Sequence, residues 1–441
     1  MTIMDQQLSA GTAPVASADR IKSIDTIRGV ALLGILMMNI PGFGINWDFW
    51  YPLVNGPRHG SDYYTFATVF TLFEGTMRGL FSMLFGAGMV LFMMNKREVP
   101  GMPTVAEYYY RRLLWLVLFG LFNCFVLLWG GDILFFYGLA GMVLFAFRKL
   151  QPKYLLMIAL FCVAVAMVKR QWNWDEFRDK RKAYVEAMEA KKEKKELTEE
   201  QQGAIAFWTD VEKNQKPDTA VMNENYRKMQ SGYATIFTYF IPRNVGFEVS
   251  YMYNDPWDLF CMMFLGMALF GWGFFSNKLK TSTYAMWMLI GYGIGIPVAW
   301  LIFDKYWMGF GNPGMYTDRW RTSHDVFAEF RRIPLAIGHA SLIMLIFRSG
   351  AVKWLMKALA NVGQMAFTNY LMQSIICTLF FYGYGFGYYN KLRFHQLYYV
   401  VGAVWVFQLI FSSIWMKYFR FGPFEWVWRS LTYWKRQPMR K

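Results

Sequence analysis

The chain has 441 residues, 55% of them hydrophobic and 20% aromatic, with only 17% charged and a formal net charge of +16. Soluble globular chains carry closer to a quarter charged residues, and apolar runs of about 18 residues or more recur here, which excludes an ordinary soluble domain. A transmembrane barrel would show alternating segments of about ten residues, and none is found. The expected class is therefore all-α: a polytopic helical membrane bundle.

Taken in order, residues 1–19 are small and polar, without the basic start and apolar core of a cleaved signal peptide, and are expected to be a disordered cytosolic tail. Ten candidate spans follow: 29–45, 66–94, 113–129, 132–147, 154–168, 257–275, 283–303, 333–347, 366–385 and 396–416. Short cytoplasmic loops collect Lys and Arg. With the N-terminus inside, the inside segments 1–28, 95–112, 148–153, 276–282, 348–365 and 417–441 hold 22 Lys/Arg against 6 Asp/Glu, a net of +16, equal to the formal charge of the chain. Both ends are thus expected inside, and the basic balance is accounted for by orientation, with no need of nucleic acid. This divides the chain into an N-terminal transmembrane half (20–168), an extracytoplasmic helical insertion (169–256) and a C-terminal transmembrane half (257–441) ending in an interfacial segment.

Within the insertion, Lys169 to Gln230 holds 14 basic and 13 acidic residues with many i,i+4 opposite-charge opportunities, a pattern of solvated helices. Tyr233 to Tyr253 is amphipathic and aromatic, and would lie along the outer interface or dip in and return. The four cysteines sit in apolar runs without CxxC spacing, so neither a disulfide framework nor a metal site is expected.

The stretch from Arg20 to Pro41 begins as a charged head and becomes an apolar helix. At about 100° per residue, Asp25, Arg28, Leu32, Ile35 and Asn39 fall on one stripe, with Arg28 and Asn39 roughly 16 Å apart along the axis. An Asn in a span suggests a site. Glu74 and Arg78 are spaced i,i+4 within a span, in the favourable order for a helical ion pair. They form either a self-neutralising structural pair or a polar wall to a substrate path. Gly79, Gly86 and Gly88 would admit a neighbouring helix or a ligand.

His59 follows the helix carrying Asn39 and precedes the one carrying Glu74, so the three are expected to meet at the outer face, where a neutral imidazole suits a general base. His339 reads as a satisfied core residue, and His324 and His395 as loop residues. Asp132, after a Gly-Gly turn, suits a helix cap. Asn123, Thr368, Asn369 and Gln373 read as helix–helix contacts. Arg28, Arg111 and Arg112 lie at the inner face. There they would meet anionic lipid or clamp a phosphorylated donor, since guanidinium matches phosphate geometry. Glu425 and Arg429 are expected to pair across one turn of an interfacial helix.

These blocks resemble a known family. Arg20-x4-Asp25-x2-Arg28-Gly29 running to Asn39, LFSMLFGAG at 80–88, RRLLWLVLFGL at 111–121, GGDILFFYG at 130–138, GQMAFTNYLMQS at 363–374 and GPFEWVWRSLTY at 422–433 resemble the YeiB-type bacterial inner-membrane proteins, a domain-of-unknown-function group. That group is in turn similar to a transmembrane acyltransferase superfamily that includes heparan-α-glucosaminide N-acetyltransferase. The likeness implies a multi-pass inner-membrane enzyme that moves an acyl group, such as acetyl, from cytosolic acyl-CoA to a sugar-like or small-metabolite hydroxyl or amine on the far side. It implies His59 as catalytic base, assisted by Asn39; on the residues' own reading Glu74 and Arg78 would line the path, and Arg28, Arg111 and Arg112 would hold the donor's phosphates. The expected partners are membrane lipids and the acceptor, with no metal and with room for a homo-oligomer. One departure stands at Asn123, where the pattern of relatives places a His. Two other classes fit the residues alone: a small-metabolite transporter, although no duplicated half is visible, and a membrane scaffold using the outer helices.

Overall fold

The computed structural model describes residues 21–45, 56–94, 103–215, 218–254 and 256–441. The expected tail, 1–19, and most of the loop joining Asn39 to His59 lie outside these. Among the described residues the regular elements are helices, with one isolated bridge between Phe419 and Arg440. Six helices are long and apolar enough to cross a membrane: Lys22–Gly44, Ser61–Met94 counted through its break, Pro152–Lys192, Thr281–Trp307, Asp325–Ser349 and Phe394–Tyr418. Shorter apolar helices cover Leu134–Phe147, Trp257–Gly271 and Ala366–Phe381. With Val105–Phe125 these occupy all ten apolar runs.

α1 (Lys22–Gly44) is the axis of the fold. Its residues Ile27, Ala31, Leu32, Leu36 and Ile40 are fully buried. Two further helices pack along it: α14 (Lys353–Gln364) and α15 (Ala366–Phe381). α1 and α14 touch backbone to backbone. A Cβ on Gly29 would strike the Leu359 carbonyl, and one on Gly363 would strike the Asp25 carbonyl. Gln373 reaches the Leu32 carbonyl at 3.4 Å and Gln408 at 3.1 Å, while Asn369 donates to Ser412 at 2.9 Å. The polar patch of α15 therefore does join helices, linking α1 to α16 (Phe394–Tyr418).

The run 66–94 is two helices. α2 (Ser61–Leu72) stops, and α3 (Thr76–Met94) restarts after Gly75 at φ +68°. That left-handed backbone suits glycine, and an added Cβ would also strike the Arg332 side chain. α3 lies against α10 (Trp257–Gly271) through a reciprocal pair of small residues, Gly86 against the Met263 carbonyl and Gly266 against the Met83 carbonyl.

The boundary at 168/169 falls inside one uninterrupted 41-residue helix, α6 (Pro152–Lys192). α7 (Glu199–Gln215) folds back on it, burying Trp208 against Phe177 and Tyr184. After α8 (Thr219–Met229), α9 (Tyr233–Asn254) lies along the outside of the bundle with one face against it. On that face Ile236, Asn244 and Glu248 are buried, Asn244 donates to the Cys124 carbonyl at 2.8 Å and Tyr251 reaches α10, while Val245, Phe247 and Val249 are exposed. The remaining elements are α4 (Val105–Phe125), α5 (Leu134–Leu144), α11 (Thr281–Gly311), α12 (Pro313–Arg319), α13 (Ala328–Ser349) and α17 (Pro423–Tyr433).

Candidate functional site

At the Lys22 end of α1 the helices enclose a cavity of about 270 Å³, walled by α1, α3, α4, α5, α15 and α17. Its polar residues include Asp25, Arg28, Arg112, Glu425 and Arg429, and its walls are apolar, among them Phe81, Leu84, Leu113 and Leu116. Arg28 is held by Asp25 at 2.9 Å, the i,i+3 neighbour on the same helix. Arg112 has no carboxylate within ion-pairing distance among the described residues. Its guanidinium lies 4.1 Å from the Trp428 ring and 5.7 Å from that of Phe92, and Trp428 donates to its carbonyl at 2.8 Å.

Glu425 does not pair with Arg429. Its carboxylate accepts from the backbone N–H of Phe367 at 2.7 Å and of Thr368 at 3.0 Å, and from the Thr368 hydroxyl at 2.5 Å. It therefore caps α15, whose own N-terminal neighbour Met365 supplies no side-chain acceptor. Arg28, Arg112 and Arg429 thus line one space, with Asp25 paired to Arg28 and Glu425 closing a helix end.

Deeper in, the cavity reaches Tyr137 and Tyr370. The Tyr370 hydroxyl accepts from the Ile133 N–H at 3.1 Å and donates to Asp132 at 3.4 Å. Asp132 caps α5 as its position suggests, accepting from the Phe135 N–H at 2.9 Å, and it also accepts from Asn123 at 2.7 Å. Asn123 thus makes a local contact to the α5 cap. Gly88 lines the cavity with nothing within 4 Å of the space a side chain would fill, whereas Gly86 serves helix contact.

Arg111 stands apart from Arg28 and Arg112. It pairs with Glu107 one turn back and stacks on Trp434 at 4.5 Å. Glu74 and Arg78 do not pair with each other. The break at Gly75 ends the helix between them and destroys the i,i+4 relation. Glu74 instead pairs with Arg331 and, at 3.0 Å, with Arg332. Arg78 pairs with Asp258 and donates to the Tyr251 hydroxyl at 2.6 Å.

Asn39 is half-buried near the Gly44 end of α1, and His59 is exposed just before α2; neither lines the cavity. Neighbouring Arg58 pairs with Asp304 at 2.9 Å. The structure therefore brings Asp25, Arg28 and Arg112 together, and does not bring Glu74 to His59. His339 is satisfied as expected, by Tyr292 and by the Leu72 carbonyl at 2.9 Å each. His395 is more than a loop residue: its Nδ1 lies 2.6 Å from Asp62, joining α16 to α2. Among the described residues no group of three or more His, Cys, Asp or Glu is placed to hold a metal ion.

Residues 269–435 match a family model described as Protein of unknown function (DUF418). The uncharacterized protein YxaH of Bacillus subtilis is 31% identical over 443 residues, covering 97% of this chain and 98% of its own. The uncharacterized protein YeiB of Escherichia coli is 30% identical over 436 residues, covering 94% and 96%. The chain belongs to the YeiB-type DUF418 family. An uncharacterized 39.9 kDa protein from Bacillus acidopullulyticus is also similar, 36% identical over 105 residues. No solved structure matches the chain. The DUF418 match begins in α10, so Arg28, Arg112 and most of the cavity's walls lie in the half before it, while Tyr370, Glu425 and Arg429 lie within it.

Several participants escaped the sequence reading: Asp258, Glu329, Arg331, Arg332 and Tyr251. The arginines flank a span, where sequence alone reads them as loop charges; in the structure Arg331 and Arg332 pair with Glu74, Asp258 and Glu329.

Proposed function

We propose that the protein is an acyltransferase of the bacterial inner membrane, with the cavity at the Lys22 end as the pocket for cytosolic acyl-CoA. The observation that carries this reading is the trio Arg28, Arg112 and Arg429 at the polar end of an apolar cavity. Guanidinium groups suit the phosphates of CoA, and the apolar channel between α1, α3, α4 and α15 suits its pantetheine arm and acyl chain. Arg111, paired with Glu107 and stacked on Trp434, does not line this cavity.

In the reaction, the acceptor's hydroxyl or amine adds to the thioester carbonyl, the C–S bond breaks, and the acceptor's proton ends on the CoA thiol. His59 is the base the family resemblance implies for that proton, with Asn39 orienting it or bonding the developing oxyanion. Acceptor and base stand at the Gly44 end of α1, on the extracytoplasmic side if the Lys/Arg-rich segments are inside.

The test is transfer by purified protein. Label from acetyl-CoA should pass to an acceptor, and His59→Ala should reduce that transfer by at least a hundredfold. Full transfer by His59→Ala would remove His59 from the mechanism.

A second reading has its own observation. Two broken helices meeting at a buried ionic cluster are a pattern of transporter sites. Uptake of a metabolite into proteoliposomes without dependence on CoA would favour it.

A further inference from the structure

Three glycines lie inside α3: Gly79, Gly86 and Gly88. Two of them have a packing reason. A Cβ on Gly86 would strike the Met263 carbonyl of α10, and one on Gly79 would press on the Met262 side chain. Gly88 has no such neighbour, since nothing lies within 4 Å of the place a Cβ would take. Glycine in a helix interior costs stability, and close-packed interiors leave few gaps of this kind. The space in front of Gly88 is the cavity at the Lys22 end, which it lines. The other glycine on the cavity wall, Gly363, is held to glycine by the Asp25 carbonyl of α1.

Its neighbours show where along the cavity Gly88 stands. At helical spacing Phe81, Phe85, Gly88 and Phe92 share one face of α3, and all four line the cavity. Phe92 belongs to the polar end, its ring 5.7 Å from the Arg112 guanidinium. Phe81 and Phe85 belong to the floor, with ring centres 5.9 Å and 5.2 Å from that of Tyr137. The floor is tied shut. The Tyr137 hydroxyl lies 2.6 Å from that of Ser82 and donates to the Arg78 carbonyl at 3.2 Å, and Tyr370 is bonded to Ile133 and Asp132. By the rise of a helix, Gly88 is roughly 6 Å inward of Phe92, and Phe81 roughly 16 Å. The row of rings has one gap, and Gly88 is that gap.

The inference rests on the reading of this cavity as the donor pocket. With the phosphates of CoA at Arg28, Arg112 and Arg429, the pantetheine arm runs inward past Gly88. Extended, its two amides and their linkers match about four residues of chain, roughly 14 Å, which is close to the depth from Phe92 to the floor. We infer that Gly88 is a specificity-determining residue of the donor site. Its bare backbone keeps open the stretch between the phosphate end and the tyrosine floor. A side chain at 88 closes the arm's path and leaves the phosphate end as it is.

The experiment is equilibrium binding of two probes to the purified full-length protein: CoA, and adenosine 3′,5′-bisphosphate, which carries phosphates on the same nucleoside but no arm. Gly88→Leu, whose side chain fills the gap, is expected to weaken CoA by about tenfold or more and to change adenosine 3′,5′-bisphosphate by less than about twofold. Gly88→Ala should weaken CoA in the same sense by a smaller factor, and it carries the test if Gly88→Leu does not fold. CoA affinity unchanged by both substitutions, or both probes weakened alike, would overturn the inference while leaving the donor pocket standing. No binding of CoA by the unsubstituted protein would instead refute the donor pocket, and this inference with it.

Discussion

At the residue scale, charged side chains are spent on different partners from those nearest in sequence. Glu425 stands one turn from Arg429, yet its carboxylate closes the N-terminus of α15 with three hydrogen bonds. Removing a buried acceptor leaves donors unsatisfied at about 1–3 kcal/mol each. Glu425→Ala is therefore expected to lower stability by about 2–4 kcal/mol, with Glu425→Gln, which retains one acceptor oxygen, affected less; thermal unfolding of the two variants measures this. Helical spacing places Glu425 and Arg429 side by side, and no local signal announces an uncapped helix some 58 positions away. Glu74 and Arg78 fail for a related reason. Spacing arguments assume an unbroken helix, and Gly75 at φ +68° interrupts it. Where a residue's partner is local, as for Asp25 with Arg28 or Asp132 with the start of α5, the sequence is sufficient.

At the element scale, helices in an apolar environment gain little from burying apolar surface against one another, so close backbone approach and shape decide their pairing. The α1–α14 crossing rests on Gly29 and Gly363, each facing the other helix's backbone. Gly363→Val is expected to push α14 off α1, costing about 1–3 kcal/mol as overpacking, and to displace Asp25 and Arg28 from the cavity. Both lower expression of folded protein and weaker CoA binding would register this, whereas Gly88→Ala, facing open space, should leave stability within about 0.5 kcal/mol. All ten apolar runs are legible as helices because 3.6-residue periodicity and length announce them. The breaks are not, since an apolar run reads the same whether one helix or two cross it. The amphipathic pattern of α9 is legible, since one face with Ile236, Asn244 and Glu248 is buried and the other is exposed, but which helices that face meets is not.

At the scale of the whole molecule, a basic end and a balanced interior have distinct origins. The excess of +16 resides in the short segments between apolar runs and in the chain's termini, the pattern that the positive-inside rule expects of cytoplasmic segments. The charges inside the bundle nearly cancel because they pair across α3, α10, α13 and α6. The long α6 is tied to the C-terminal part of the chain through Arg170 with Glu329 and Arg181 with Asp318 at 2.9 Å. The stripe on α1 joins one end to the other, Asp25 and Arg28 at the cavity and Asn39 near the Gly44 end.

The central claim is that the Arg28–Arg112 cavity takes acyl-CoA, and equilibrium binding of CoA to the purified protein tests it most directly. Saturable binding is expected, weakened about 10- to 100-fold by Arg112→Ala through loss of a charge-assisted contact, and unchanged by His59→Ala. Absence of saturable binding by CoA and acetyl-CoA, or binding indifferent to the combined Arg28→Ala and Arg112→Ala substitutions, would contradict it.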